Sequence, residues 1–572
     1  MVCQAPRFQS AIHTHNKKMK KSVLLLCLAL AAVCGPAQNL SDVSGQLGIF
    51  NRLYKTLDQY YVDTLNAEKN VTTAIRAMLS DLDPYTEFYD AKSAREFNTV
   101  TTGKYAGVGA MIHYYKKEDR CIVYQLYEGK PAAVAGLRDG DIILSINGKD
   151  TGVKGSMAMA DYVSSVSAAL RGDAGTLAKV RVKRPGTADT LEFSVTRANV
   201  QLPSVPYSGM LNAETGYVIL NSFTAGCAEE VGNAVKKLVV QGAKSLVLDL
   251  RNNGGGLANE AVNLVNLFVP KGKLILKMKG KVASLNSSYA TQSEPLFPDM
   301  PLAVLVNGQS ASASEITCGS LQDLDRAVVV GERTYGKGLV QQTHNLPEGT
   351  MLKLTTSHYY IPSGRCIQAL DYTHRTDQGE AYRTPDSLTH VFHTEAGRPV
   401  RDGGGITPDV VVKSDTMPTN LEYLCASDEF FDYVTSYCLS HPTIAPAGEF
   451  SVTDADYDEF VNHVKASNFS PEYASLKAAD RLLDMMKAEG MPKDALDKAA
   501  ALKESMKPDM CEVLRDNKQT MKEHLDIAVC DRYYYTAGTI ENQLKHDRQV
   551  KEAVDLLANP ARYKGILSGK AE

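Results

Sequence analysis

Four short apolar runs, Tyr217–Asn221, Leu246–Leu250, Leu302–Val306 and Ala327–Val330, are separated by stretches of helical periodicity such as Cys227–Val240 and Glu260–Phe268. Strands that alternate with helices in this way build an α/β layer around a largely buried sheet. That layer occupies only the middle of the chain. A length of 572 residues is a prior of about three to four domains, and the flanks read differently. From Leu47 to Leu82 the apolar residues Phe50, Leu53, Leu57 and Tyr61, then Ala74, Ile75, Met78, Leu79 and Leu82, recur at three and four, which predicts helix, closed by Asp83-Pro84. Lys104 to Asn199 is β-rich around one helical run, Ala160–Leu170, the pattern of a compact binding module. After Pro408-Asp409 the chain is mostly helical. Ser470-Pro471-Glu472 there predicts a helix start, with Gly490 as its stop.

Charge and composition remove several classes of function. Lys and Arg number 62 against 66 Asp and Glu, a net charge of -4, so no basic field draws the chain onto nucleic acid. Lys17, Lys18, Lys20 and Lys21 precede the apolar run Val23–Cys34, and Gly35-Pro36-Ala37 supplies small residues for cleavage. These 37 residues are expected to be a signal peptide cut near Ala37, because a run of 12 apolar residues falls short of the about 20 a membrane span needs. Met19 and Met1 both remain as starts. Val33 before Cys34 argues against a lipid anchor, and the mature chain is expected to be exported and periplasmic. The eight cysteines that remain form no C-x-x-C pair, so metal sites are not expected, while one or two disulfides stay open.

The motifs of metalloproteases, α/β-hydrolases and dinucleotide enzymes are missing. Gly331 to Gly338 has the spacing of a phosphate-binding loop, but Gly338 stands where a Ser or Thr is needed and a strand-like run, Leu339–Thr343, follows instead of a helix. Nucleotide binding is therefore not expected. Three clusters remain. Asn307-Gly308-Gln309-Ser310 turns from a buried strand into Ala311-Ser312-Ala313-Ser314-Glu315-Ile316, where a Ser hydroxyl near helix N–H groups suits an oxyanion, although Ser310, Ser312 or Ser314 could equally be an N-cap. Asp249 to Gly256 follows another buried strand, and its three glycines allow a backbone N–H to approach a carbonyl or simply make a flexible turn. Tyr335-Gly336-Lys337-Gly338 sets a Lys among apolar strands, either as a neutral base or as a solvated loop residue.

Ser-Ala-Ser-Ala-Ser-Glu (310–315), followed by Gly-Glu-Arg-Thr-Tyr-Gly-Lys-Gly (331–338) with Gln341 beyond it, resembles the carboxyl-terminal processing (tail-specific) serine peptidases. Leu82-Asp-Pro-Tyr-Thr86, Tyr105-Ala-Gly-Val-Gly109, Gly129-Lys-Pro-Ala-Ala133, Leu137 to Ile143, Leu248 to Gly256, Tyr360 to Arg365 and Gly405 to Asp409 extend the resemblance over most of the chain. The resemblance implies a signal peptide (1–37), an N-terminal helical segment (38–98), a PDZ domain (99–200), an α/β crotonase-like Ser-Lys peptidase domain (201–416) and a helical C-terminal domain (417–572). It implies Ser312 as nucleophile, Lys337 as general base and Gln341 as the residue that orients it. The backbone N–H groups of Gly256 and Ala313 become oxyanion donors, and Gly107, Val108 and Gly109 the loop for a peptide carboxylate. No cofactor or metal is implied. Partners would be protein or peptide substrates with free C-termini, with a homo-oligomer left open. The competing expectation is a non-catalytic PDZ-bearing scaffold that binds tails without cutting.

Overall fold

The computed structural model describes residues 40–570 apart from 103, 154–156 and 377–378. The expected signal peptide lies outside the described residues. Residues up to Asp81 form a unit of their own, with helices Leu40–Tyr60 and Ala67–Ser80, the second opened by Asn66, whose side chain accepts from the Lys69 N–H at 2.9 Å. This unit ends inside the N-terminal helical segment expected over 38–98. From Leu82 the chain belongs to the second unit, where Glu87–Tyr89 pairs antiparallel with Met351–Tyr360.

The α/β layer is a six-stranded sheet in the order Tyr207–Met210, Thr215–Ile219, Ser245–Asp249, Leu302–Val306, Val328–Gly331, Val410–Val411. Only the first pairing is antiparallel. All five residues of Leu302–Val306 are buried, and alternate residues serve opposite faces. Leu302, Val304 and Val306 join a core with helices Cys227–Val240, Ala258–Val265 and Ala313–Asp323. Ala303 and Leu305 meet Val550, Ala553, Leu556 and Tyr563 from the last two helices, Arg548–Leu557 and Pro560–Leu567. The Tyr563 hydroxyl also reaches the backbone of Leu302. The helical stretch expected from residue 417 thus ends in two helices that form the second cover of this sheet, because buried parallel strands need both faces protected.

A second sheet, antiparallel throughout, carries Met351–Tyr360 with Leu339–Asn345 along one edge and with Glu87–Tyr89 and Leu274–Gly280 along the other. The β-rich module is a further sheet in the order Ala110–Tyr115, Arg120–Leu126, Ile142–Ile146, Leu177–Lys183, Thr190–Thr196, with helix Met159–Leu170. In Leu177–Lys183 the buried residues Ala178, Val180 and Val182 alternate with exposed ones, as a one-sided sheet requires. The helical domain has its own core around Phe430, Tyr457, Phe460 and Leu525. Its expected helix at Ser470 begins instead at Ala474, since Tyr473 is extended and packs edge-on against Tyr423, while Glu472 pairs with Lys116 and Lys477. Gly490 ends that helix as expected, in a left-handed conformation (φ 68°). Among the described residues all eight cysteines are free, no His, Cys, Asp and Glu group could hold a metal ion, and no helix is long and apolar enough to cross a membrane.

Candidate active site

Three neighbouring parallel strands deliver the three sequence clusters to one edge. Ser245–Asp249 runs into Asn252–Gly256, Leu302–Val306 into Ser310–Ser314, and Val328–Gly331 into Thr334–Lys337. All three loops leave the carboxyl ends of their strands, the side of an open parallel sheet where ligands bind.

The serines of the turn differ in what their hydroxyls do. Ser310 is fully buried and its Oγ donates to the Leu250 carbonyl (2.8 Å) while accepting from the Asn307 N–H (2.9 Å). Ser314, also fully buried, donates to the Asn253 carbonyl (2.8 Å). Both therefore bind the helix start to the glycine loop. Ser312 is half-buried and stands at φ 57°, ψ −113°, a conformation that costs a non-glycine residue about 1–3 kcal/mol. Its backbone is held on both sides. The N–H donates to the Glu315 carboxylate (2.9 Å), and the C=O accepts from the Ile316 N–H (2.9 Å) and the Tyr359 hydroxyl (3.3 Å).

Glu315 is fully buried and each of its oxygens accepts twice. Oε1 takes the Thr334 hydroxyl (2.5 Å) and the Gly336 N–H (2.7 Å); Oε2 takes the N–H groups of Ser312 and Lys337, both at 2.9 Å. Burial pushes its pKa up to about 7 against the pull of these donors. Glu315 sits in the sequence motif with no role assigned to it, although Ser-x-x-Glu before a helix is a capping pattern.

Gly255 presses on the turn. A Cβ there would lie 2.8 Å from Ser312 Cβ and 2.9 Å from the Ala313 nitrogen, and its φ is 98°. Its N–H is already given to Asn253 Oδ1 (2.9 Å). The N–H groups of Gly256 and Ala313 make no hydrogen bond among the described residues, nor does that of Gly254, so all three stand as candidate donors. Gly256 runs beside Phe223, whose N–H and C=O bond Gly255 and Leu257.

Lys337 follows Gly336, whose φ of 89° turns the chain toward the second sheet. Its amine stands 4.3 Å from the centre of the Tyr85 ring and makes no hydrogen bond or ion pair among the described residues. Burial, then the charge of Lys353, lowers its pKa to about 8, with Glu315 pulling the other way. The Tyr85 hydroxyl lies between those of Tyr335 (3.3 Å) and Tyr372 (3.2 Å). Asp83 fixes this turn by accepting from the N–H groups of Tyr85 and Thr86, both at 2.8 Å. Sequence reasoning gave Tyr85 no role, and no local signal links it to a lysine so distant in the chain. Gln341 is half-buried, pairs across the sheet with Thr355 and donates to its hydroxyl (3.1 Å), which in turn donates to Asp83 (3.2 Å). Its amide nitrogen is thus turned to Thr355. A cavity of about 530 Å³ opens beside these residues, with Leu82, Leu339, Leu370, Tyr372 and Leu388 in its wall.

Gly107 ends a strand, Lys104–Gly107, paired with Ala198–Gln201. The Val108 side chain is buried in the module's core and its C=O accepts from the Ala132 N–H (2.8 Å). Gly109 (φ 74°) has no room for a Cβ, which would fall 2.4 Å from Lys130 Cβ. The N–H groups of Val108 and Gly109 make no hydrogen bond among the described residues. The strand that follows, Ala110–Tyr115, is the free edge of its sheet.

These loops set a serine turn, a glycine loop and a lysine loop on one edge of an α/β sheet in a chain that also carries a separate β-rich module, and the comparisons with known proteins give the family. Residues 214–374 match Peptidase family S41, residues 122–184 a PDZ domain, and residues 421–557 the C-terminal helical domain of probable PDZ-proteases. The chain belongs to peptidase family S41, with a PDZ domain and a helical C-terminal domain. A probable CtpA-like serine protease of Staphylococcus haemolyticus (strain JCSC1435) is 33% identical over 347 residues, 59% of this chain and 67% of the relative. Its counterpart in Staphylococcus aureus (strain MRSA252) is 35% identical over 324 residues, 56% of this chain and 62% of the relative, so the chain spans slightly less than two thirds of that protein. Among solved structures, a photosystem II D1 C-terminal processing protease is 29% identical, covering 66% of this chain and 89% of that chain, with a TM-score of 0.35. A putative S41 protease from Bacteroides fragilis NCTC 9343 is 16% identical, covering 53% and 81%, also with a TM-score of 0.35.

Proposed function

We propose that the protein is an exported, periplasmic serine endopeptidase that cuts protein substrates near their C-termini through a Ser312–Lys337 acyl-enzyme mechanism. The observation that carries the proposal is the pairing of a strained, half-buried Ser312 with a half-buried Lys337 whose amine has no hydrogen bond or ion pair among the described residues, the backbone N–H groups of both residues sharing one oxygen of Glu315. A lysine takes a proton only when neutral, and a pKa near 8 leaves a large neutral fraction at mildly alkaline pH. The amine of Lys337 accepts the Ser312 proton as Oγ attacks the peptide carbonyl. The N–H groups of Gly256 and Ala313 hold the oxyanion, each such donor contributing about 2.7–4 kcal/mol. Lys337 then protonates the leaving amine, the acyl-enzyme forms, and water activated by Lys337 hydrolyses the ester, which returns the proton to Ser312 Oγ. Gln341 Oε1 is left to accept from the amine and aim it. Every step uses groups of this chain and water, so no cofactor is called for.

The free edge of Ala110–Tyr115 receives the substrate tail as an added strand, and the N–H groups at Val108 and Gly109 hold its carboxylate. We assign the six-stranded sheet and its helices to the crotonase-like class, and the cavity beside Leu339 to a substrate side chain. To test the reading, the mature protein and its Ser312→Ala form are incubated with a denatured protein and the cut sites mapped by mass spectrometry. Cuts clustered toward the C-terminus, absent with Ser312→Ala and weakened when a peptide substrate is amidated, are expected. Cleavage that survives Ser312→Ala would refute it.

A further inference from the structure

We propose that Glu315 is a positioning residue for the reaction: one buried carboxylate to which the turn of Ser312 and the loop of Lys337 are both hydrogen-bonded, and which sets nucleophile and base in register. The inference rests on the Ser312–Lys337 reading.

The geometry separates this role from helix capping. A capping Glu returns its side chain to the N-cap N–H alone, and only one of Glu315's four bonds does so. The other three go to Thr334, Gly336 and Lys337, on the loop that carries the base. All four partners are donors. Three are backbone N–H groups, and the Thr334 oxygen already accepts from the Ile406 N–H (2.7 Å), so its proton points to Glu315. A carboxylate with four lone-pair sites satisfies this set. An amide cannot, since its NH2 would face two donors on one side or the other. The Ser312 conformation at φ 57° also depends on the arrangement, because a backbone in that region persists only where its surroundings over-determine it. The carboxylate further acts on Lys337 by charge, favouring its protonated form.

Glu315→Gln is nearly isosteric and breaks two of the four bonds. Against a peptide substrate, kcat should fall about 100-fold, the scale of a misplaced reacting group, with KM within about twofold of wild type. The ascending limb of the pH profile should move to lower pH, because the negative charge that favours protonated Lys337 is gone. A purely structural Glu315 would lower the melting temperature and leave that limb in place. Folded Glu315→Gln with kcat within about threefold of wild type, or with an unmoved limb, overturns the proposal. Should Glu315→Gln fail to fold, Thr334→Val decides, since it removes one donor from the carboxylate at a distance from the reacting atoms. A drop in kcat of about fivefold or more at constant KM supports the role, and a smaller change contradicts it. Ser312→Ala assayed alongside keeps the two claims apart. If it remains active, the Ser312–Lys337 reading has failed; if it is dead while Glu315→Gln is active, only the Glu315 role has failed.

Discussion

Ser310, Ser312 and Ser314 share five residues of chain, yet they are expected to respond differently to replacement by Ala. Ser310 and Ser314 are fully buried donors to the carbonyls of Leu250 and Asn253. Removing either hydroxyl leaves a buried carbonyl without that donor, a loss of about 1–3 kcal/mol, so both variants should melt earlier in calorimetry. Ser312→Ala should melt close to wild type while proteolysis disappears. Sequence alone left all three serines as candidate caps, because the pattern of small residues before a helix is the same for each. The resemblance to a peptidase family singled out Ser312; what its neighbours do became visible only with the partners of their hydroxyls. Tyr85 and Glu315 show the same limit. Their importance comes from contacts with Lys337 that no local spacing encodes.

At the scale of elements, the four expected strands of the central sheet were legible because each is a short, largely apolar run, and the structure finds them within two residues of the expected ends, Leu302–Val306 with no shift at all. The glycine loop after Ser245–Asp249 is more constrained than its sequence suggests. Gly255 has a positive φ and its missing side chain is what lets the loop lie against Ser312 and Ala313. Gly255→Ala should therefore cost activity out of proportion to its size, since a Cβ would meet the Ala311 carbonyl oxygen at 2.7 Å. We expect kcat/KM to fall at least about tenfold, whereas Gly254→Ala, which meets nothing within 4 Å, should remain within about twofold of wild type. Equal effects of the two changes would refute the packing argument. The helix that starts at Ala474 and not Ser470 marks where local signals yield to packing, here of Tyr473 on Tyr423.

At the scale of the whole molecule, the helical domain reaches both other domains. Tyr124 of the PDZ sheet stacks on Phe431 with ring centres 5.7 Å apart, Arg532 stands 4.3 Å over the same Phe431, and Gln125 donates to Asp531 (2.8 Å). Tyr115 and Lys117 both bond Asp432. Beyond these contacts, the last two helices cover the peptidase sheet with Val550, Ala553, Leu556 and Tyr563. Each such side chain buried contributes about 1.5–3 kcal/mol when large and apolar, so removal of the chain after His546 should expose Val247, Ala303 and Leu305 and unfold the peptidase domain. Loss of soluble, cooperatively melting protein is the expected outcome. A truncated chain that melts like wild type would contradict it. The sequence predicted a mostly helical tail and could not show what it packs on, since helix signals mark an element without naming its partner.

The central claim, that a neutral lysine activates Ser312, is tested most directly by kcat/KM as a function of pH for wild type and for Lys337→Arg. Burial lowers the Lys337 pKa to about 8, so protonation shuts off the base below that value, and kcat/KM should rise with pH through about 8 and then level. Lys337→Arg keeps a positive charge that cannot be given up and should be inactive at every pH while remaining folded. A wild-type limb centred near the ordinary histidine value of about 6.5, or activity retained in Lys337→Arg, would contradict the account.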